Sequence, residues 1–209
     1  MKNHIQEKIK LLKLDDNCTL AYNASIGFDI SIWQMLTPII VGSRMVIFSD
    51  LDVLNISTFC KKLIQNKVTH LEVVPMYLNL IINESKRNHL KYPYLKTIIS
   101  TGDKLNKQTV IKAFECFNIN LINAYGLTET SDDTMHCVIS NKSQYNEIPI
   151  GTPINNVEVE VIDENGAICG VGEAGELIVK GISVGRGYIN DAVETDKRFK
   201  YGEGGNCRY

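Results

Sequence analysis

The sequence predicts an α/β fold: a parallel sheet with packed helices, followed by an antiparallel, barrel-like β segment. Three observations carry this. Strand-like and helix-period runs alternate from Thr19 to Gly126, the order produced by parallel strands joined through crossover helices. After Ile148 the texture changes, and VEVEVID alternates apolar and acidic residues as a half-exposed strand does. Asn165-Gly166 then supplies a hairpin signal.

Taken in order, LAYNASI reads as a strand, and Ile30 to Ile40 as an amphipathic helical piece. Gly42 and Ser43 punctuate a turn into a second strand, RMVIF. Ile56, Phe59, Cys60, Leu63 and Ile64 recur at helical spacing, with Ser57 the candidate cap. LEVV (Leu71 to Val74) is a short strand, and Pro75 opens the next helix through Leu80 and Ile81. LKTIIS is a strand. Gly102 and Asp103 turn the chain into a helix carrying Val110, Ile111, Ala113, Phe114 and Phe117, and INLINAYG follows as a strand. GELIVKG and VGRGYIN are rich in glycine and β-formers. The expected organisation is a charged N-terminal segment (1–18), an α/β part (19–147) and a β-rich part (148–209). The boundary falls at Gln144 to Ile148, and the β-rich part is expected to be truncated at its C-terminal end.

The chain has 209 residues, 22 basic and 24 acidic, and is 44% hydrophobic. That composition suits a folded core and excludes a disordered chain. The near-neutral balance gives no electrostatic case for a nucleic-acid or anionic-membrane partner. No apolar run approaches the roughly 18 residues of a membrane span. MKNHIQEKIKLLKLDD lacks the apolar core of a secretion signal. Cys18, Cys60, Cys116, Cys137, Cys169 and Cys207 form no CxxC and no zinc-ligand spacing with histidine. They read as reduced thiols of a cytoplasmic protein. Scattered histidines give a catalytic histidine little support.

Ligands of open parallel sheets sit beyond the carboxyl ends of the strands. Three such ends carry polar or glycine-rich turns: Glu72 with Pro75, Ser100-Thr101-Gly102-Asp103, and Ala124-Tyr125-Gly126-Leu127-Thr128-Glu129-Thr130. In the third, Gly126 allows close backbone approach. Thr128 and Thr130 offer hydroxyls to phosphate, Glu129 a carboxylate to Mg²⁺, and Tyr125 a flat face to a purine. The alternative is a capping turn, with a threonine capping a helix and Glu129 at its positive end.

AYGLTET, with FDISIWQ upstream and GELIVKGISVGRGYIN downstream, resembles the adenylate-forming (AMP-binding) superfamily, and within it the amino-acid adenylation domains of nonribosomal peptide synthetases. The likeness runs from about Thr19 to Tyr209. It implies ATP- and Mg²⁺-dependent formation of an acyl-adenylate, with transfer to the phosphopantetheine thiol of a partner peptidyl carrier protein. It assigns Asn123 to the adenine edge and Tyr125 to its face, with Gly102, Asp103 and Gly126 bordering the nucleotide. Thr128 would touch phosphate, Glu129 would hold Mg²⁺, and Asp29 would pair with the substrate α-ammonium. Gln34 stands where the family often has glutamate, and Leu127 where synthetases often have proline.

By the same likeness, Asp29, Ile30, Trp33, Glu72, Ile99, Thr101, Ala124, Asp132 and Asp133 would line the substrate side-chain pocket. Burying Glu72, Asp132 and Asp133 without a cation is costly, so a basic amino acid is the favoured substrate. The alternatives are that Asp132 and Asp133 face water at a helix start while Glu72 pairs within the protein, or that Trp33 narrows the pocket for a small polar residue. The family's phosphate loop, ribose-binding aspartate motif and lysine-bearing C-terminal domain have no counterpart in the sequence. The expectation is an interior piece of an adenylation domain, inactive alone or the partner of the rest of a split synthetase. Competing readings are an acyl- or aryl-CoA ligase piece and a non-catalytic, decayed gene product.

Overall fold

The computed structural model describes residues 1–140, 145–201 and 207–209. Gln144, within the expected boundary, and the side chain of Cys207 lie outside the described residues. Seven strands form one sheet in the order β2-β1-β3-β4-β5-β6-β7. These are β1 (Thr19–Tyr22), β2 (Arg44–Ile47), β3 (His70–Val73), β4 (Thr97–Ser100), β5 (Asn120–Leu127), β6 (Asp132–Ile139) and β7 (Thr152–Pro153). β1 to β5 run parallel. β6 and β7 add on antiparallel, so the sheet is mixed at one end.

Helices cover both faces. α4 (Ile56–Gln65), α5 (Pro75–Arg87) and α6 (Lys107–Cys116) pack on one; α1 (Lys2–Leu12) and α2 (Ile30–Val41) pack on the other. The two-residue period of a strand distributes neighbours between the layers. Ile98 and Leu121 join the first layer with Phe59, Leu78 and Ile81, while Ile99 and Ile122 join the second with Ile5, Leu12 and Trp33. Coverage of both faces is why these strands read as near-continuous apolar runs. Glu72 stands on the second face, in register with Ile99.

Several local readings change. Asn55, not Ser57, caps α4, its side chain accepting from Thr58 N at 3.0 Å. A short helix, α3 (Asp50–Leu54), precedes it, closed by a capping box between Ser49 and Asp52. Residues 1–18 are not merely a charged segment, since α1 buries Ile5, Lys8 and Leu12. Asp132 and Asp133 do not begin a water-facing helix. They open β6, 6% and 1% exposed. The strand was hidden because DDTMHCVI opens with two acids on residues that pack inward.

The β-rich part is an open antiparallel sheet, β10-β11-β9-β8, formed by β8 (Val157–Ile162), β9 (Glu176–Gly181), β10 (Lys200–Tyr201) and β11 (Cys207–Arg208). Asp163 Oδ1 accepts from Asn165 N and Ala167 N, closing the turn that holds Gly166 at φ +81°. VGRGYIN forms no named strand. It leads through a bridge at Tyr188 into α7 (Ala192–Arg198). β7, within the expected β-rich part, pairs with β6 in the large sheet.

Candidate functional site

The carboxyl ends of β1, β3, β4 and β5 converge on a cavity of about 640 Å³. Its wall comprises Asn23 after β1, Glu72 to Val74 at the end of β3, Thr101 and Gly102 after β4, and Gly126 to Glu129 after β5. Phe28, Asp29 and Ile30 at the start of α2 complete it, with Val53, Tyr77 and Asp132. Gln34 shapes the turn after β1: its buried Oε1 accepts from Asn23 N at 3.0 Å and Ala24 N at 3.1 Å. The amide oxygen meets both donors of the turn, while its buried Nε2 has no hydrogen-bond partner among the described residues. Asn23 Nδ2 in turn donates to Glu72 O at 3.0 Å.

Gly126 sets the opposite wall. The β5–β6 register shifts at Tyr125/Gly126, and a Cβ on Gly126 would come within 1.9 Å of Asp132 O. Only glycine lets β6 approach closely enough to bring Asp132 to the cavity. Thr128 to Thr130 form a 3-10 turn rather than the start of an α-helix. Thr128 Oγ1 donates to Asp29 Oδ2 at 2.6 Å, while Asp29 Oδ1 accepts from Ile30 N at 2.9 Å. Asp29 thus caps α2 and faces the cavity.

Glu129 lies between the two sheets. Its Oε1 accepts from Tyr188 Oη at 2.6 Å and Tyr209 Oη at 3.1 Å, and its carbonyl from Gly185 N at 2.7 Å. Burial pushes the carboxyl up, but the two phenol donors outweigh it and hold Glu129 below its ordinary range. It remains a carboxylate at neutral pH.

Behind the cavity lies a buried charge cluster. Lys8 Nζ meets Glu72 Oε1 at 2.8 Å, Glu72 Oε2 at 2.7 Å and Asp133 Oδ2 at 2.9 Å, 4.0 Å over the Trp33 ring centroid. Thr101 Oγ1 donates to Asp133 Oδ1 at 2.8 Å. His4 Nε2 lies 3.7 Å from Asp132 Oδ2, and His136 Nε2 3.8 Å from Asp133 Oδ2. Burial disfavours the Lys8 ammonium, yet Asp133 and Glu72 overcome that and keep it charged. Burial also raises Glu72 well above its ordinary range, against the pull of Lys8. Asp133, despite burial, is held well below by Lys8 and His136. Asp132, raised chiefly by burial, titrates at about 7. Burial, with Lys8 adding to it, keeps His4 neutral.

A family model described as AMP-binding enzyme matches residues 2–189. The chain belongs to the AMP-binding enzyme family. Among curated relatives it is 30% identical over 176 residues to gramicidin S synthase 1 of Brevibacillus brevis, covering 84% of this chain and 15% of that protein. It is 31% identical over 181 residues to tyrocidine synthase 2 of Brevibacillus parabrevis, covering 84% of this chain and 5% of that one. The chain therefore spans a small part of the relatives it matches. Among solved structures, the nonribosomal peptide synthetase FmoA3 superposes with a TM-score of 0.91 at 21% identity, over 99% of this chain and 23% of that one. The Vibrio cholerae adenylation domain AlmE, in complex with glycyl-adenosine-5'-phosphate, superposes with 0.85 at 22%, over 99% and 39%. The fold is that of these adenylation proteins.

Of the expected site residues in this AMP-binding chain, Asp29, Ile30, Glu72, Thr101, Gly102, Gly126, Thr128, Glu129 and Asp132 meet at the cavity. The others stand outside its lining. Trp33, Ile99 and Ala124 are core on the second face. Asp133 lies behind Thr101, and Asp103 is exposed, accepting from Lys104 N at 2.6 Å. Asn123 is 4% exposed and donates to Pro149 O at 2.8 Å. Tyr125 is half-buried on β5.

Glu72 pairs within the protein: Lys8 compensates Glu72 and Asp133, so their burial does not by itself call for a basic substrate. Sequence reasoning missed Lys8, His4, Asn23, Tyr77 and Tyr188. One signal was available: Ile5, Ile9 and Leu12 recur at helical spacing, and Lys8 falls on their face. No helix of the described residues is long and apolar enough to cross a membrane.

Proposed function

We infer that the chain forms part of an adenylation domain that activates an amino acid with ATP. The observation that carries this reading is the meeting of Asp29, Thr128 and Glu129 with Gly102 and Gly126 at one cavity, in a chain of the AMP-binding family. In the reaction, a substrate carboxylate oxygen bonds to the α-phosphorus of ATP. The α–β bridging bond breaks, leaving an aminoacyl-adenylate and pyrophosphate.

Asp29, fixed by Ile30 N and Thr128 Oγ1, holds the substrate α-ammonium and aims its carboxylate across the cavity. Gly102 and Gly126 give the nucleotide backbone walls without side chains. Thr128 exchanges its donation to Asp29 for donation to a phosphate oxygen. Its hydroxyl is positioned but not locked, because the Asp29 bond is exposed. A Mg²⁺ ion fits the donor set. Glu129 is ionised beside a hydroxyl, and this cation takes one or two carboxylates plus phosphates. Bound there it would offset phosphate charge. The activated acyl group then passes to the phosphopantetheine thiol of a carrier protein, releasing AMP. The artificial NpsA-ThdA fusion of an adenylation domain to a carrier domain is a precedent among the structural neighbours.

The test is a titration of the 209-residue chain with MgATP followed by backbone amide NMR. Shifts confined to the Gly102, Gly126 and Thr128 turns support the reading. Shifts elsewhere, or none at millimolar nucleotide, overturn it.

A further inference from the structure

Lys8 is a wholly buried cation on a helix outside every motif that carries the family likeness. Its Nζ donates to both Glu72 oxygens at 2.8 and 2.7 Å and forms an ion pair with Asp133 Oδ2 at 2.9 Å. Its charge also lies 4.0 Å over the Trp33 ring. Asp133 gains a further donor from Thr101, at the cavity wall. Glu72, the central partner, itself lines the cavity. An ammonium on a four-carbon stem, held between carboxylates and an indole face, is how a basic amino acid would be bound. The protein supplies that group from α1, which packs on the same sheet face as Glu72.

His4, Asp132 and Asp133 are close enough for a divalent ion. The Lys8 ammonium, 2.9 Å from Asp133 Oδ2, would repel the metal.

We propose that Lys8 is a resident counter-cation that fills the acidic end of the cavity and sets it for amino acids with uncharged side chains. The proposal rests on reading the cavity as an amino-acid site. A second ammonium would meet Glu72 with both oxygens already accepting from Lys8, and a like charge 2.9 Å from Asp133. Asp132 is the acid that lines the cavity beside this cluster. Titrating at about 7, it offers both a donor and an acceptor near neutrality, which suits a hydroxyl or amide tip.

Two experiments test this. In the first, Lys8→Ala removes the stem and ammonium from the 209-residue chain, and n-butylammonium is added back during thermal unfolding. The expected result is a lower Tm for the variant and saturable recovery with n-butylammonium but not n-butanol, while wild type is unmoved. Absence of recovery, or equal stabilisation of wild type, overturns the role of Lys8. In the second, residues 1–209 replace the matching part of an intact adenylation domain, and amino-acid-dependent pyrophosphate exchange is profiled. Wild type should favour uncharged amino acids, and Lys8→Met should raise the ornithine-to-threonine ratio at least tenfold. If Lys8→Met does not fold, Lys8→Met with Glu72→Gln and Asp133→Asn removes all three titratable groups and should keep the uncharged preference. A wild-type profile led by ornithine or lysine overturns the proposal. No exchange with any amino acid counts against the activation reading instead, and the amine experiment then decides for Lys8.

Discussion

Asp132→Asn should flatten part of the pH dependence of stability. Asp132 is 6% exposed and titrates at about 7 in the folded chain, against 3.8 for an ordinary aspartate. Burial is the main cause; the neighbouring Asp133 adds to it, and Lys8 offsets part. The folded pKa lies above the unfolded one, so folding favours the protonated acid. That contribution is fully present below about pH 4 and is lost as pH rises through about 7. A shift of about three units corresponds to roughly 4 kcal/mol at about 1.4 kcal/mol per unit. Asparagine resembles the protonated acid and does not titrate; because Asp132 also raises Glu72, the difference between the two proteins includes the change that losing Asp132 imposes on that neighbour. Urea unfolding of both at pH 4, 5, 6, 7 and 8 measures the difference. The stability of wild type minus variant should fall by a few kcal/mol between pH 4 and 7, then level off. A difference independent of pH, or one that rises with pH, would refute the buried, proton-binding placement of Asp132.

Other consequences follow from particular contacts. Phe59 is fully buried between Phe48 and Tyr77, so Phe59→Ala should cost about 3–5 kcal/mol in urea unfolding. Tyr188→Phe removes the shorter of two donors to Glu129, so the Glu129 pKa should rise toward the ordinary value in a carboxyl NMR titration. An unchanged pKa would place the stabilisation elsewhere. Ile39, Ile40 and Ile47 are 72%, 62% and 59% exposed at the β2 edge of the large sheet, whose outer side pairs with no strand among the described residues. The isolated chain should therefore self-associate, and Ile40→Lys with Ile47→Thr should raise the monomer fraction in analytical ultracentrifugation. A wild-type chain that stays monomeric at high concentration would contradict this.

The periodicities that betrayed the fold are those imposed by local geometry. Phe59, Cys60 and Leu63 mark α4 because one helix face is buried, and TIIS marks β4 because both sheet faces are covered. Asn55 and Ser57 are both competent caps by type, and only the backbone decides between them. β6 was illegible because its first two residues, Asp132 and Asp133, point into a charge cluster rather than an apolar core. Local patterning carries no information about a cation 125 positions away in sequence, as Lys8 is from Asp133. The cavity was more legible than its chemistry. Glu72, Thr101, Gly102, Gly126, Thr128 and Glu129 stand at strand ends, where topology gathers them. Trp33, Ile99 and Ala124 share the second sheet face with Glu72 yet pack in the core beside the cavity.

The central claim is that this cavity activates an amino acid through Asp29. Its most direct test is amino-acid-dependent pyrophosphate exchange with residues 1–209 carried inside an intact adenylation domain, comparing wild type with Asp29→Ala. Exchange with at least one amino acid is expected for wild type, with a fall of two or more orders of magnitude for Asp29→Ala with every amino acid, because the α-ammonium is common to all. Exchange that survives Asp29→Ala, or that is lost for one amino acid alone, would contradict it.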